Sequence, residues 1–154
     1  MIPSTTTRVE QHTDEAINER IRRQTEQNIA AVSGQGHEAI NRRLEELEHE
    51  WDMERTLEAN AASISLLGLG LGALVNRRFF MLPAMVAGFL LQHAIQGWCP
   101  PVPIFRRLGF RTAREINIER CALKAVRGDF IDLPTRVDVG EPSHISRLLV
   151  AMER

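Results

Sequence analysis

The chain has 154 residues and a formal charge of −1 at pH 7, with 19 Lys and Arg against 20 Asp and Glu. That length suits one domain, and the balanced charge gives no overall drive toward nucleic acid. The 2 cysteines, Cys99 and Cys121, make neither a disulfide framework nor a zinc-type spacing, so reduced thiols and no metal or other cofactor are expected. The balance conceals segregation. Residues 8–58 are crowded with Glu, Arg and Gln, the middle is apolar, and Arg106–Arg127 is basic.

Residues 1–13 carry Pro, Ser and Thr without periodicity, which predicts a disordered tail, and no basic stretch runs into an apolar one to suggest a cleaved signal peptide. Ile17, Ile21, Asn28 and Val32 recur at near-helical spacing, so residues 14–32 are expected to form an amphipathic helix. Gly34 and Gly36 interrupt it. From His37 to Glu58 the stripe returns as Ile40, Leu44, Leu47 and Trp51, the a/d pattern of a coiled-coil seam. It can pack on the first helix, pair with another subunit, or lie on a membrane surface. The many glutamates disfavour the last. His49, Glu50 and Asp52 invite a metal reading, but Met53 stands where a zincin motif needs its second His.

Residues 59–103 organise the chain. No residue from Ala59 to Val75 is charged, and after Asn76, Arg77 and Arg78 none is charged from Phe79 to Ile104. Runs of about 17 and about 20 residues rise roughly 26 and 30 Å as helices, near one hydrocarbon thickness. Two membrane helices, 59–75 and 79–99, joined by a tight turn are expected. On the first, Ala61, Ser65, Gly68 and Gly72 form a face of small side chains suited to close helix packing, against the second helix or a second copy. Pro83 fits the first turn of the second helix. Farther along, Gln92 and Gln96 share a stripe with Cys99, with His93 beside it. Polar groups at membrane depth face other helices or a wet path, so the stripe either bonds across the hairpin or lines a route to Cys99. Pro100, Pro101 and Pro103 are expected to end the helix and hold the chain extended.

The segment 104–154 starts basic, and Arg106, Arg107, Arg111 and Arg114 are expected to meet phosphate headgroups. The turn carries Arg77 and Arg78 against more arginines on the two flanks, which predicts cytoplasmic termini. Thr112 and Glu115 make a capping box for a helix to about Val126, with Gly128 as its C-cap. Cys121 and Arg127 have the C-x5-R spacing of cysteine phosphatases, but the residues between read as continuous helix. Arg127, Gly128 and Asp129 match an integrin-binding tripeptide that this topology places in the cytoplasm. Extended connectors and a short helix over 144–153 complete the cytoplasmic part.

From about Trp51 to Phe130 the chain resembles the YgaP-type membrane hairpin of small bacterial inner-membrane proteins. The hairpin length, the glycine-rich first span and Gly97, Trp98, Cys99 and Pro100, followed by a basic segment, carry the resemblance. In that family the hairpin is sometimes fused to a rhodanese sulfurtransferase, which implies a role in handling sulfane sulfur and makes Cys99 the membrane-proximal cysteine. The rhodanese domain and its cysteine loop are missing from this sequence.

The sequence therefore predicts an all-α protein of the bacterial inner membrane: a transmembrane hairpin, amphipathic N-terminal helices and short C-terminal cytoplasmic helices. Homo-oligomerisation through the small-residue face, contact with the lipid bilayer and a cytoplasmic protein partner are expected, with no nucleic acid. The first functional expectation is a non-enzymatic scaffold or accessory protein. The second is a small channel or sulfur relay built on Gln92, His93, Gln96 and Cys99, with Cys99 as a reactive thiol.

Overall fold

In the computed structural model of the chain, residues 4–131 and Val150 are described, and every regular element among them is helical. The helices are α1 (Arg8–Gln11), α2 (Glu15–Ser33), α3 (His37–His49), α4 (Met53–Leu74), α5 (Met81–Gln96), α6 (Val102–Leu108) and α7 (Ala113–Arg127). A 3-10 turn over Arg77–Phe80 joins α4 to α5. Apart from Val150, the helix expected over 144–153 lies outside the described residues, as does the connector 136–140.

The polar half of the chain is built on α2, α3 and α7. Asp14 caps α2 by accepting from the Ala16 N–H at 2.9 Å. Gly36, at φ +91°, then allows the reversal into α3. Ile40, Leu44 and Leu47 are buried with Ile116 and Leu123 of α7, flanked by Ile29 and Val32 of α2. The a/d stripe is thus seated in the chain's own core, against α7 as well as α2.

Trp51 does not join that seam, and no single helix runs from His37 to Glu58. The chain leaves α3 at His49, Glu50 is extended, and Asp52 accepts from the Arg55 N–H at 2.8 Å to cap a new helix. The Met53 N–H is meanwhile held by the Arg111 carbonyl at 2.8 Å. Trp51 is left 47% exposed, with the Arg55 guanidinium 4.6 Å from its ring centre.

Helices α4 and α5 pack as an antiparallel pair. Ala61, Gly68 and Gly72 are buried, and Ser65 half-buried, on the face toward α5. A Cβ on Gly68 would lie 2.8 Å from Pro83 Cδ, and one on Gly72 would lie 2.8 Å from the Phe80 ring. Within one chain, then, the small-residue face is covered by α5 and the turn before it. The opposite faces are bare: Leu66 is 70% and Met81 72% exposed, and Leu67, Leu74, Met85, Leu91 and Ile95 are exposed too. Two helical stretches, one ending at Leu74 and one over Arg77–Gln96, are long and apolar enough to cross a membrane.

Three further boundaries differ from the sequence reading. The N-terminal stretch includes α1, whose Val9 is buried against Met53, Leu57, Cys99 and Val102. α5 stops at Gln96, because Gly97 turns left-handed at φ +76°. The chain after Cys99 is not extended. Pro101 and Pro103 fall at the start of α6, where a missing N–H breaks no helical bond and the fixed φ is already helical.

Candidate functional site

The base of the hairpin brings together residues that are far apart in sequence. Glu54 lies in the first turn of α4, just after its Asp52 cap, and His93 in the last turn of α5. Antiparallel packing sets these two ends side by side. His93 Nε2 is 2.9 Å from Glu54 Oε2, and Arg8 Nη2 donates to Glu54 Oε1 at 3.0 Å. Cys99 is buried at the same end of the hairpin, packed with Met53 and Leu57 on the helix that carries Glu54, and the His93 Nδ1 is buried and makes no hydrogen bond among the described residues. Cys99 is 2% exposed and His93 4%.

Gly97 makes this closure available. Its left-handed turn carries the chain from α5 to Cys99, and a Cβ there would meet Arg8 Cγ at 2.5 Å and the Arg8 carbonyl carbon at 2.7 Å. The α1 segment therefore sits directly on the end of α5. On the other side, Cys99 borders an apolar cavity of about 240 Å³ between α4 and α5, lined also by Leu57, Ala61, Val86, Leu90 and Pro100. A thiol, an imidazole and a carboxylate in series form the arrangement in which the imidazole takes the thiol proton and the carboxylate orients the ring and offsets its charge. Arg8 fixes the carboxylate in turn.

The amides of the predicted stripe do not join this centre. Gln92 is half-buried and Gln96 exposed, so His93 alone of the three turns inward with Cys99. Cys121 is exposed on α7, and the residues from it to Arg127 are helix, leaving no anion-binding loop. Arg127 pairs with Asp129 at 2.5 Å and donates to Asn41 at 2.6 Å, and Gly128 caps the helix at φ +93°. His49 is exposed, and among the described residues no group of three or more His, Cys, Asp or Glu is placed to hold a metal ion.

The headgroup expectation needs correction at two of its four arginines. Arg106 is fully buried, donating twice to Glu115 at 2.6 and 2.8 Å, to Asn18 at 2.8 Å and to the Phe110 carbonyl at 3.1 Å. Arg111 is 6% exposed and forks onto Glu50 at 2.7 and 2.6 Å, and it also pairs with Glu119 and reaches Thr25. A guanidinium with its donors so engaged inside the fold is not available to a phosphate. Arg114 is exposed but bonded to Glu10 at 2.8 Å, and Arg107 is exposed.

These pairs also set the local titration. Burial pushes the Glu119 carboxyl up, but bonds from Arg43 and Arg111 outweigh it and hold it below its ordinary value of 4.5. Burial likewise pushes the Glu115 carboxyl up, but the Arg106 fork together with the Thr112 N–H overcomes this, and it too ends below 4.5. That N–H bond is half of the predicted capping box, in which Thr112 and Glu115 bond each other's backbone.

Glu54 and Arg8 are the members of the centre that the sequence did not suggest. One signal was available for Glu54: folding the two apolar runs antiparallel about Asn76 places their outer ends together, and Glu54 and His93 are ionisable groups at those ends. Arg8 offered none. Comparison of the chain with protein-family models, curated proteins and solved structures finds no match in any of the three.

Proposed function

We propose that the chain is a hairpin protein of the bacterial inner membrane, of the YgaP type, with both termini cytoplasmic, whose Cys99 takes up a sulfur atom and hands it on. The observation that carries the reading is the burial of Cys99 at the base of the hairpin, the same end at which His93, Glu54 and Arg8 are joined in series. The bare apolar faces of α4 and α5 support a membrane location, because contiguous exposed apolar surface of this extent is rare on soluble monomers. Arg77 and Arg78 at the turn, outnumbered by arginines on the flanks, support cytoplasmic ends.

In the uptake step His93 takes the Cys99 proton, and the thiolate attacks the outer sulfur of a persulfide. The donor's S–S bond breaks as the new one forms, and the donor leaves as a thiol carrying the proton from His93. No outside oxidant or reductant is needed, since one disulfide-level bond replaces another. A scaffold reading leans on Ile40, Leu44 and Leu47 as a recruiting stripe, and those side chains are buried between α2 and α7. That burial moves the weight to the thiol centre.

The test uses the Cys121→Ser protein in membrane vesicles of both orientations. A membrane-impermeant thiol reagent should label Cys99 only from the cytoplasmic face. Incubation with glutathione persulfide should add one sulfur atom by intact mass, with no gain in Cys99→Ser and a slower gain in His93→Gln. Labelling from the opposite face overturns the topology, and a Cys99 that reacts with small thiol reagents yet takes no sulfur overturns the relay.

A further inference from the structure

We propose that Cys99 is also an S-acylation site, carrying a fatty acyl chain as a thioester on its sulfur with the chain laid in the apolar cavity between α4 and α5. The inference shares the nucleophilic thiol with the relay reading but rests on a separate observation, the cavity. Its walls include Ile64, Leu82, Met85 and Phe89, and Asn60 is its one polar side chain apart from the thiol. Among the described residues no charged one lines it, so it suits hydrocarbon and not an anionic solute.

The shape agrees with a chain anchored at one end. The cavity runs from Cys99 and Leu90 to Leu82, and eight residues of α5 rise about 12 Å, a length that an acyl chain of roughly eight to ten carbons spans and a compact solute does not. Behind Cys99, outside the cavity wall, stand His93, whose buried Nδ1 has no partner among the described residues, and Glu54. A second copy of the chain or loose bilayer lipid would fill the groove without needing a thiol and a base at its end.

The chemistry is thioester exchange with a medium-chain acyl thioester. His93 takes the Cys99 proton, and the sulfur attacks the acyl carbonyl carbon. The tetrahedral adduct then expels the donor thiolate, which recovers the proton from His93. One C–S bond forms and one breaks, with no change in oxidation state. An acylated Cys99 is closed to persulfide, so the thioester would switch the relay off.

The test incubates the full-length Cys121→Ser protein in lipid nanodiscs with octanoyl-CoA or acetyl-CoA and reads intact mass and release by hydroxylamine. Octanoylation should be at least about tenfold faster than acetylation, and Val86→Phe, which narrows the cavity, should remove that preference while a small methanethiosulfonate reagent still modifies Cys99 at an unchanged rate. Equal rates for the two donors, or a preference that survives Val86→Phe, overturn the proposal. Persulfide uptake without acylation overturns it alone. A Cys99 inert to every reagent overturns both readings.

Discussion

His93 and Glu54 are separated by 39 residues and meet at 2.9 Å, with Arg8 holding the far oxygen of the carboxylate at 3.0 Å. The ring is thereby fixed against Cys99 from the side away from the thiol. An imidazole without this partner would turn freely and lose the geometry for proton transfer.

Glu54→Gln should accordingly slow alkylation of Cys99 by iodoacetamide about tenfold or more at neutral pH, and His93→Gln at least as much. The direction separates this from damage to the fold, since Cys99 is 2% exposed and unfolding would speed its modification. The rate in the Cys121→Ser background is the readout, and an unchanged rate in both variants would remove the base from the mechanism.

The glycines of α4 differ in what they face, and their substitutions should differ likewise. A methyl on Gly68 would meet Pro83 Cδ at 2.8 Å and Leu82 Cβ at 3.1 Å, groups close to the backbone that cannot swing aside. Gly68→Ala should therefore cost about 1–3 kcal/mol. At Gly72 the neighbour is the Phe80 ring, 43% exposed and able to rotate, so a smaller loss is expected. Gly70 has nothing within 4 Å, and Gly70→Ala should be neutral or slightly stabilising. Unfolding of the three variants in mixed detergent micelles gives the order, and a Gly70→Ala loss as large as that of Gly68→Ala would contradict the packing.

Acid should loosen the α2, α3 and α7 cluster. Glu119 and Glu115 have folded pKa values below the ordinary 4.5, so each contributes stability that is fully present above the unfolded value. That contribution is lost as pH falls from about 5 through the depressed folded values. In Glu119→Gln the slope of stability against pH should flatten over this range. The variant should also lose about 3–5 kcal/mol at neutral pH, because Arg43 and Arg111 would keep their charges without their shared carboxylate. Chemical denaturation followed by helical circular dichroism from pH 3 to about 7 is the measurement, and an unchanged slope in the variant would refute the assignment.

What the sequence disclosed was local. Thr112 and Glu115 lie three residues apart, so the capping box could be read directly, and Gly34 with Gly36 marked a turn because its cost falls on those residues alone. The apolar runs and the small-residue face followed from periods of one helix. What stayed hidden depends on the partner. Pro101 and Pro103 can end a helix or begin one, and only Gly97 closing α5 before them decides it. Trp51 continues the a/d spacing of α3, yet Asp52 caps a new helix beside it. The thiol centre needed Arg8 and Glu54, which come from elements the sequence treated as a tail and a polar helix.

Arg106 and Arg107 are adjacent, identical in type and opposite in role, which makes them the sharpest test of the base of the fold. Arg106 is fully buried on a bidentate pair with Glu115, and its Nε has no partner among the described residues. Arg107 is exposed, and its carbonyl accepts from Arg20 at 2.7 Å, a bond that any side chain at 107 leaves intact. Arg106→Ala strands the Glu115 carboxylate and removes the tie to Asn18 of α2, so a loss of about 3–5 kcal/mol is expected. Arg106→Lys should recover part of this, since an ammonium keeps the charge without the planar fork. Arg107→Ala should fall within about 0.5 kcal/mol of the unaltered protein. Its effect should appear instead in vesicles, as weaker protection of α6 from proteolysis when anionic lipid is present. Equal losses of stability at the two positions would mean that Arg106 is not in the core.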